Sequence, residues 1–151
     1  MVQTPEREED MSELSRYFFL LGGLPYIIFG IVHALMTPVT PNQMKALTPR
    51  DPAFRTAMSR EVFLLTRRTN LWLCWVGFNF SHSLGLVAFG IVVLSIGRSQ
   101  ASFVDQATIF VPLAVVVSLL YLVLGLRYWF RSPILVTTFA CACFVVSWLT
   151  A

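Results

Sequence analysis

A chain of 151 residues that is 56% hydrophobic and only 13% charged departs from soluble domains, which are nearer half apolar and a quarter charged. Its eight acids and eleven bases fall almost wholly outside four apolar stretches. This predicts an all-α fold: one domain of four transmembrane helices in an antiparallel bundle, with an amphipathic interfacial helix before the second span. The net charge of +3 then reports topology and attraction to anionic headgroups rather than a nucleic-acid partner.

The first sixteen residues carry Glu6, Glu8, Glu9, Asp10 and Glu13 against Arg7 and Arg16. They are acidic where the leading part of a cleavable signal is basic, and too poor in apolar surface to fold, so 1–16 is expected to be a disordered tail and 17–151 the membrane domain. The first span covers about 17–36. Pro25 lies inside it and is expected to kink the helix, freeing the Leu21 carbonyl.

Prolines at 38, 41, 49 and 52 then forbid a long helix. Asp51 before Pro52 reads as an N-cap and first helical residue. Phe54, Met58, Val62 and Leu65 recur at intervals of four, four and three, one apolar face of a helix over about 52–68 lying in the membrane interface. The alternative for this stretch is a solvated, frayed loop.

The second span covers about 71–96, with Trp72 and Trp75 where an aromatic belt places them. The third covers about 107–130 and tolerates Pro112 near its start. Arg131, Ser132 and Pro133 leave a tight turn before the fourth, about 134–150. Cys74, Cys141 and Cys143 all lie in apolar stretches. The last two point about 200° apart on a helix, which suits packing rather than a chelate or redox pair.

Lys45, Arg50, Arg55, Arg60, Arg67 and Arg68 in the loop 37–70, with Arg127 and Arg131 in the short turn, put eight bases on one side of the membrane, against Arg7, Arg16 and Arg98 on the other. The positive-inside rule places both termini outside and the loop 37–70 in the cytoplasm.

Residues 17–36, 71–96, 108–126 and 134–150 contain no Asp, Glu, Lys or Arg. That disfavours ion-coupled transport and removes paired-carboxylate hydrolysis and an acid-oriented Ser–His triad. Polar chemistry concentrates at Asn79, Ser81, His82 and Ser83, about 12–18 Å along the second span from Leu71. Asn79 and His82 share a helical face, with Gly85 extending it and Trp75 and Phe78 flanking it. Such groups must find partners in a bilayer, and Ser118, Tyr121, Thr137 and Thr138 of the third and fourth spans are the candidates. One reading is an interhelical hydrogen-bond clamp, another a ligand or cofactor pocket, a third a contact with a partner subunit.

A haem held by His33 and His82 is disfavoured by depth. His33 lies about 5 Å inside its span and His82 about 16 Å, a mismatch of roughly 11 Å. A haem on His82 alone survives that test, and His33 is expected at the interface. Gly22, Gly23, Gly30, Gly77, Gly85, Gly90 and Gly125 read as close-packing positions.

The stretch TRRTNLWLCWVGFNFSHSLGLVAFG, the preceding PRDPAFRTAM and the RYWFRSP before the last span resemble a family of small bacterial four-helix membrane proteins with no assigned activity. The GFNxSHSLG block (77–85) is the most specific part, and the resemblance extends from about Tyr17 to the end. It implies the same fold, a bacterial inner membrane and importance for the Asn79–His82 region, but no reaction. The expected role is binding, with the lipid bilayer, a lipophilic small molecule, a membrane-protein partner or a second copy of the chain as candidate partners. The alternative is an enzyme or redox accessory using His82 as haem ligand or general acid/base.

Overall fold

The computed structural model describes residues 5–151, with side chains from Ser12 onward. Five helices follow one another: α1 (Pro5–Met36), α2 (Pro52–Arg60), α3 (Leu71–Ile96), α4 (Gln100–Tyr128) and α5 (Arg131–Leu149). Ser12–Met36 of α1 and the whole of α3, α4 and α5 are long and apolar enough to cross a membrane. Even the 19 residues of α5 reach about 28 Å at 1.5 Å per residue, close to the hydrocarbon thickness. The chain is an all-α integral membrane protein.

The second span has the expected limits; the others start earlier. Ser99 caps α4, its hydroxyl accepting from the Ser102 amide at 3.2 Å, so the helix begins seven residues before position 107. At the amino end, the described part of the stretch 1–16 is helical. Helix α1 runs back to Pro5, and residues 12–16 are tied down. The fully buried Ser15 hydroxyl donates to the Ser147 carbonyl at 2.7 Å. Arg16 donates from Nε to Gln100 Oε1 at 2.9 Å and from Nη1 to the Gly97 carbonyl at 3.2 Å. Polar residues extend the helix because polar helix ends await them.

The residues gather into two compact units: the chain up to Phe29 with Val87–Ala151, and Gly30–Leu86. Helices α1 and α3 contribute to both.

The first unit is a four-helix assembly. The Ser15–Ser147 bond joins the early part of α1 to the end of α5, and Arg16 reaches the end of α3 and the start of α4, so α1 runs antiparallel to α3 and α5. Its core is aromatic. Phe19, Phe103 and Phe144 are essentially sealed, with Phe19 ring centroids 5.4 and 5.7 Å from the other two. Tyr26 and Ser118 pair their hydroxyls at 2.9 Å. Small residues set the α1–α3 spacing, as is usual where lipid removes the hydrophobic drive between helices. A methyl on Gly90 would stand 2.9 Å from the Gly23 carbonyl oxygen and 2.5 Å from Ile27 Cγ1.

The second unit contains the end of α1, the proline-rich loop, α2, a hairpin and the first turns of α3. Asp51 caps α2 by accepting from the Ala53 amide at 2.8 Å, with Pro52 in the first turn. The helix ends at Arg60, eight residues short of the expected 52–68. The cause is Asn70, whose Nδ2 donates to the Ser59 carbonyl at 2.9 Å while its Oδ1 caps α3 at the Leu73 amide. The chain between must turn back. Val62 and Asn70 form an antiparallel bridge, and the Leu71 amide donates to the Glu61 carbonyl at 2.9 Å. Of the expected apolar face, Met58 alone is buried, against Trp72, Val76 and the half-buried Trp75. Phe54 is half exposed, and Val62 and Leu65 lie beyond the helix.

Candidate functional site

On α3 the buried positions are Trp72, Val76, Asn79, Ser83, Leu86, Gly90, Val93 and Ile96, steps of four and three that trace one stripe of a helix. Asn79 lies on this stripe, 8% exposed. His82, three residues on, is about 60° round the helix and half-buried at the stripe's edge.

Both ends of the buried Asn79 amide are bonded. Nδ2 donates to the Trp75 carbonyl at 2.7 Å, and Oδ1 pairs with His33 Nε2 at 2.9 Å. A carbonyl only accepts, so the Trp75 contact orients the amide and leaves its oxygen facing the imidazole. His33 must therefore donate from Nε2. The Asn79 carbonyl in turn accepts from the Ser83 hydroxyl at 2.9 Å.

The Asn79 partner thus comes from α1, not from the third or fourth span. Of the expected candidates, Ser118 pairs with Tyr26, while the Thr137 and Thr138 hydroxyls donate within their own helix to the Pro133 and Ile134 carbonyls. A second contact of α3 with α1 is again made through His33. Its ring lies edge-on to that of His82, 5.3 Å between centroids.

The helices do not end in one plane, so depth counted from the span ends misplaces His33 relative to His82. With Asn79 level with His33, α3 continues eight residues back to Leu71, about 12 Å, whereas α1 continues three residues to Met36, about 4.5 Å. The start of α3 overshoots α1 and is covered by the loop, whose Val39 carbonyl accepts from Trp72 Nε1 at 3.1 Å. His33 and His82 then differ in depth by about 4.5 Å, which side chains absorb. Depth no longer separates the two imidazoles. What now stands against a shared macrocycle is the ring contact itself and the Asn79 bond on His33 Nε2.

The remaining predicted residues sit at the margin. The Phe78 ring is parallel to His82, 6° between planes and 6.3 Å between centroids, but is itself 67% exposed. Ser81 is exposed, its hydroxyl returned to the Phe78 carbonyl at 2.9 Å. Trp75 packs towards Trp72, 5.3 Å between centroids. Gly77 and Gly85, expected to pack closely, meet nothing within 4 Å of an added Cβ; the surface of α3 beside His82 is open. Among the described residues no three or more His, Cys, Asp or Glu side chains are grouped to hold a metal ion.

Sequence reasoning found Asn79 and His82 through the cost of polar groups in a bilayer, and missed His33 as their partner. The signal was available, since His33 is the one imidazole in the first span, but depth counted from span ends hid it. No protein-family model matches the chain, and nothing similar is found among curated proteins or solved structures.

Proposed function

We propose that the chain is a small membrane-embedded binding protein whose His33–Asn79–His82 cluster receives the polar end of a lipophilic molecule entering sideways from the bilayer. The observation that carries this reading is the setting of His82. Its ring is parallel to that of Phe78 and steeply inclined to that of His33, beside the open surface at Gly85, in a span without Asp, Glu, Lys or Arg. An apolar environment with few polar anchors is the usual character of a small-molecule site. Asn79 and His33 act as positioning residues, because their mutual bond holds the neighbouring imidazole edge against His82. The occupant that suits this chemistry is flat and apolar, with an oxygen or nitrogen able to share a hydrogen bond.

The second reading keeps the site and changes the role: a membrane enzyme or redox accessory in which His82 binds haem or moves a proton. Contact between two imidazoles favours it, since either ring can donate or accept once its tautomer is set. A membrane-protein partner, or a second copy of the chain, is the third candidate for the open face. The resemblance to small bacterial four-helix proteins and the distribution of bases support placement in a bacterial inner membrane, with both termini outside and loop 37–70 in the cytoplasm.

The test is extraction of the purified protein, with an absorption spectrum and mass spectrometry of whatever accompanies it, for the native chain and His82→Phe. A small molecule held by the native protein and lost from a still-helical His82→Phe variant supports the binding reading. A haem spectrum lost with the same substitution supports the redox reading. Identical extracts from both proteins would reject His82 as the anchor.

A further inference from the structure

We propose that residues 62–65 form a membrane-inserting tip, seated among anionic lipid headgroups by Arg60, Arg67 and Arg68. This goes beyond the role of His82 and does not depend on it. Val62, Phe63, Leu64 and Leu65 are 48, 38, 111 and 94% exposed. Exposed apolar side chains are expected on the lipid-facing side of a spanning helix, at spacings of three and four, but these four are successive and lie outside every helix. Exposed apolar surface of that kind marks an interaction site.

The hairpin fixes where the tip can be. Its base is closed by the Val62–Asn70 bridge and the Leu71–Glu61 bond, and its tip turns through the Thr66 amide donating to the Phe63 carbonyl at 3.2 Å. Leu71 is the first residue of a spanning helix. An extended arm from 62 to 65 reaches at most about 13 Å, so the tip cannot move far from the point where α3 enters the bilayer. The 26 residues of α3 are about 39 Å long, against about 30 Å of hydrocarbon, which puts that entry point among the headgroups.

Charge selects the kind of lipid. Arg60, Arg67 and Arg68 are exposed beside the apolar run, against one exposed acid, Glu61: three positive charges less one negative leave +2 over residues 60–68. Guanidinium groups match phosphate oxygens in two-pronged geometry, and basic residues flanking an inserted apolar patch are the pattern that binds anionic membrane surfaces. A protein partner would need no such proximity to the start of a span.

The test uses the full chain in vesicles of phosphatidylcholine, with and without phosphatidylglycerol. Leu64→Cys in a Cys74→Ala background carries a spin label, with Asn42→Cys in the same background as a control on the exposed proline-rich loop; Cys141 and Cys143 are buried. Relative to the control, the label at 64 is expected to collide several-fold more with oxygen than with a water-soluble nickel chelate. That preference should be larger with phosphatidylglycerol and should fall in Arg60→Gln/Arg67→Gln/Arg68→Gln. Nickel access equal to the control would overturn insertion, and protection from both reagents would show a protein contact instead. Oxygen preference indifferent to phosphatidylglycerol and to the arginines would overturn the anionic-lipid assignment.

Discussion

His33 donates from Nε2 to Asn79 at 2.9 Å while its ring lies 5.3 Å from that of His82 at a steep angle, so one imidazole of the first span meets both Asn79 and His82 of the second. In lipid neither group could remain unpaired without a cost of a few kcal/mol. Among the described residues no buried side-chain nitrogen or oxygen lacks a partner, and the His33–Asn79 bond meets that requirement for the Asn79 amide oxygen inside the second unit, while the flank of α3 at Gly85 stays open.

The His33–Asn79 bond can be measured as a coupling. Asn79→Leu and His33→Phe are each expected to lower stability by about 1 kcal/mol, and the double variant to lose less than the sum, with a coupling of about 0.6–1.7 kcal/mol. Unfolding in mixed detergent micelles reads all four proteins. Strictly additive losses would mean the bond contributes nothing to stability.

Two glycines on one helix should behave oppositely. Gly90→Ala drives a methyl against the Gly23 carbonyl and Ile27 and is expected to cost about 1–3 kcal/mol. Gly85→Ala meets open space and should leave stability within about 0.5 kcal/mol. Thermal unfolding compares them directly, and equal losses would contradict the packing described.

Helix α2 buries one side chain. Met58→Ala removes its one buried residue, which packs on Trp72 and Val76, and should weaken that contact by about 2 kcal/mol or more. Hydrogen exchange should show amides of 54–60 losing protection while those of α3 keep theirs. Unchanged exchange in α2 would mean that its Asp51 cap and backbone bonds suffice.

Orientation is tested by single cysteines in a Cys74→Ala background. Ser99 is an N-cap, so Arg98→Cys is the better probe of the α3–α4 turn, with Asn42→Cys for the long loop. An impermeant maleimide should label position 98 and spare 42 in intact cells. The reverse pattern would invert the topology that the bases imply.

The sequence by itself determined the four spans, the limits of α3, the Asp51–Pro52 start of α2 and the need for Asn79 to be buried. Each follows from a local quantity: a run of apolar residues long enough for the bilayer, a capping pair, or an amide where water is absent. Tertiary structure decided the rest, because each remaining feature depends on what lies opposite. Asn70 bonds both α2 and α3, so α2 stops at Arg60 and the periodicity of Val62 and Leu65 passes into a hairpin. The overshoot of α3 beyond Met36 brings His33 level with Asn79, which no count along either helix could show. Gly90 and Gly85 are the same residue on the same helix, yet one faces the α1 backbone and the other open space; side-chain size is a property of the sequence, whereas the partner across the gap is a property of the packing.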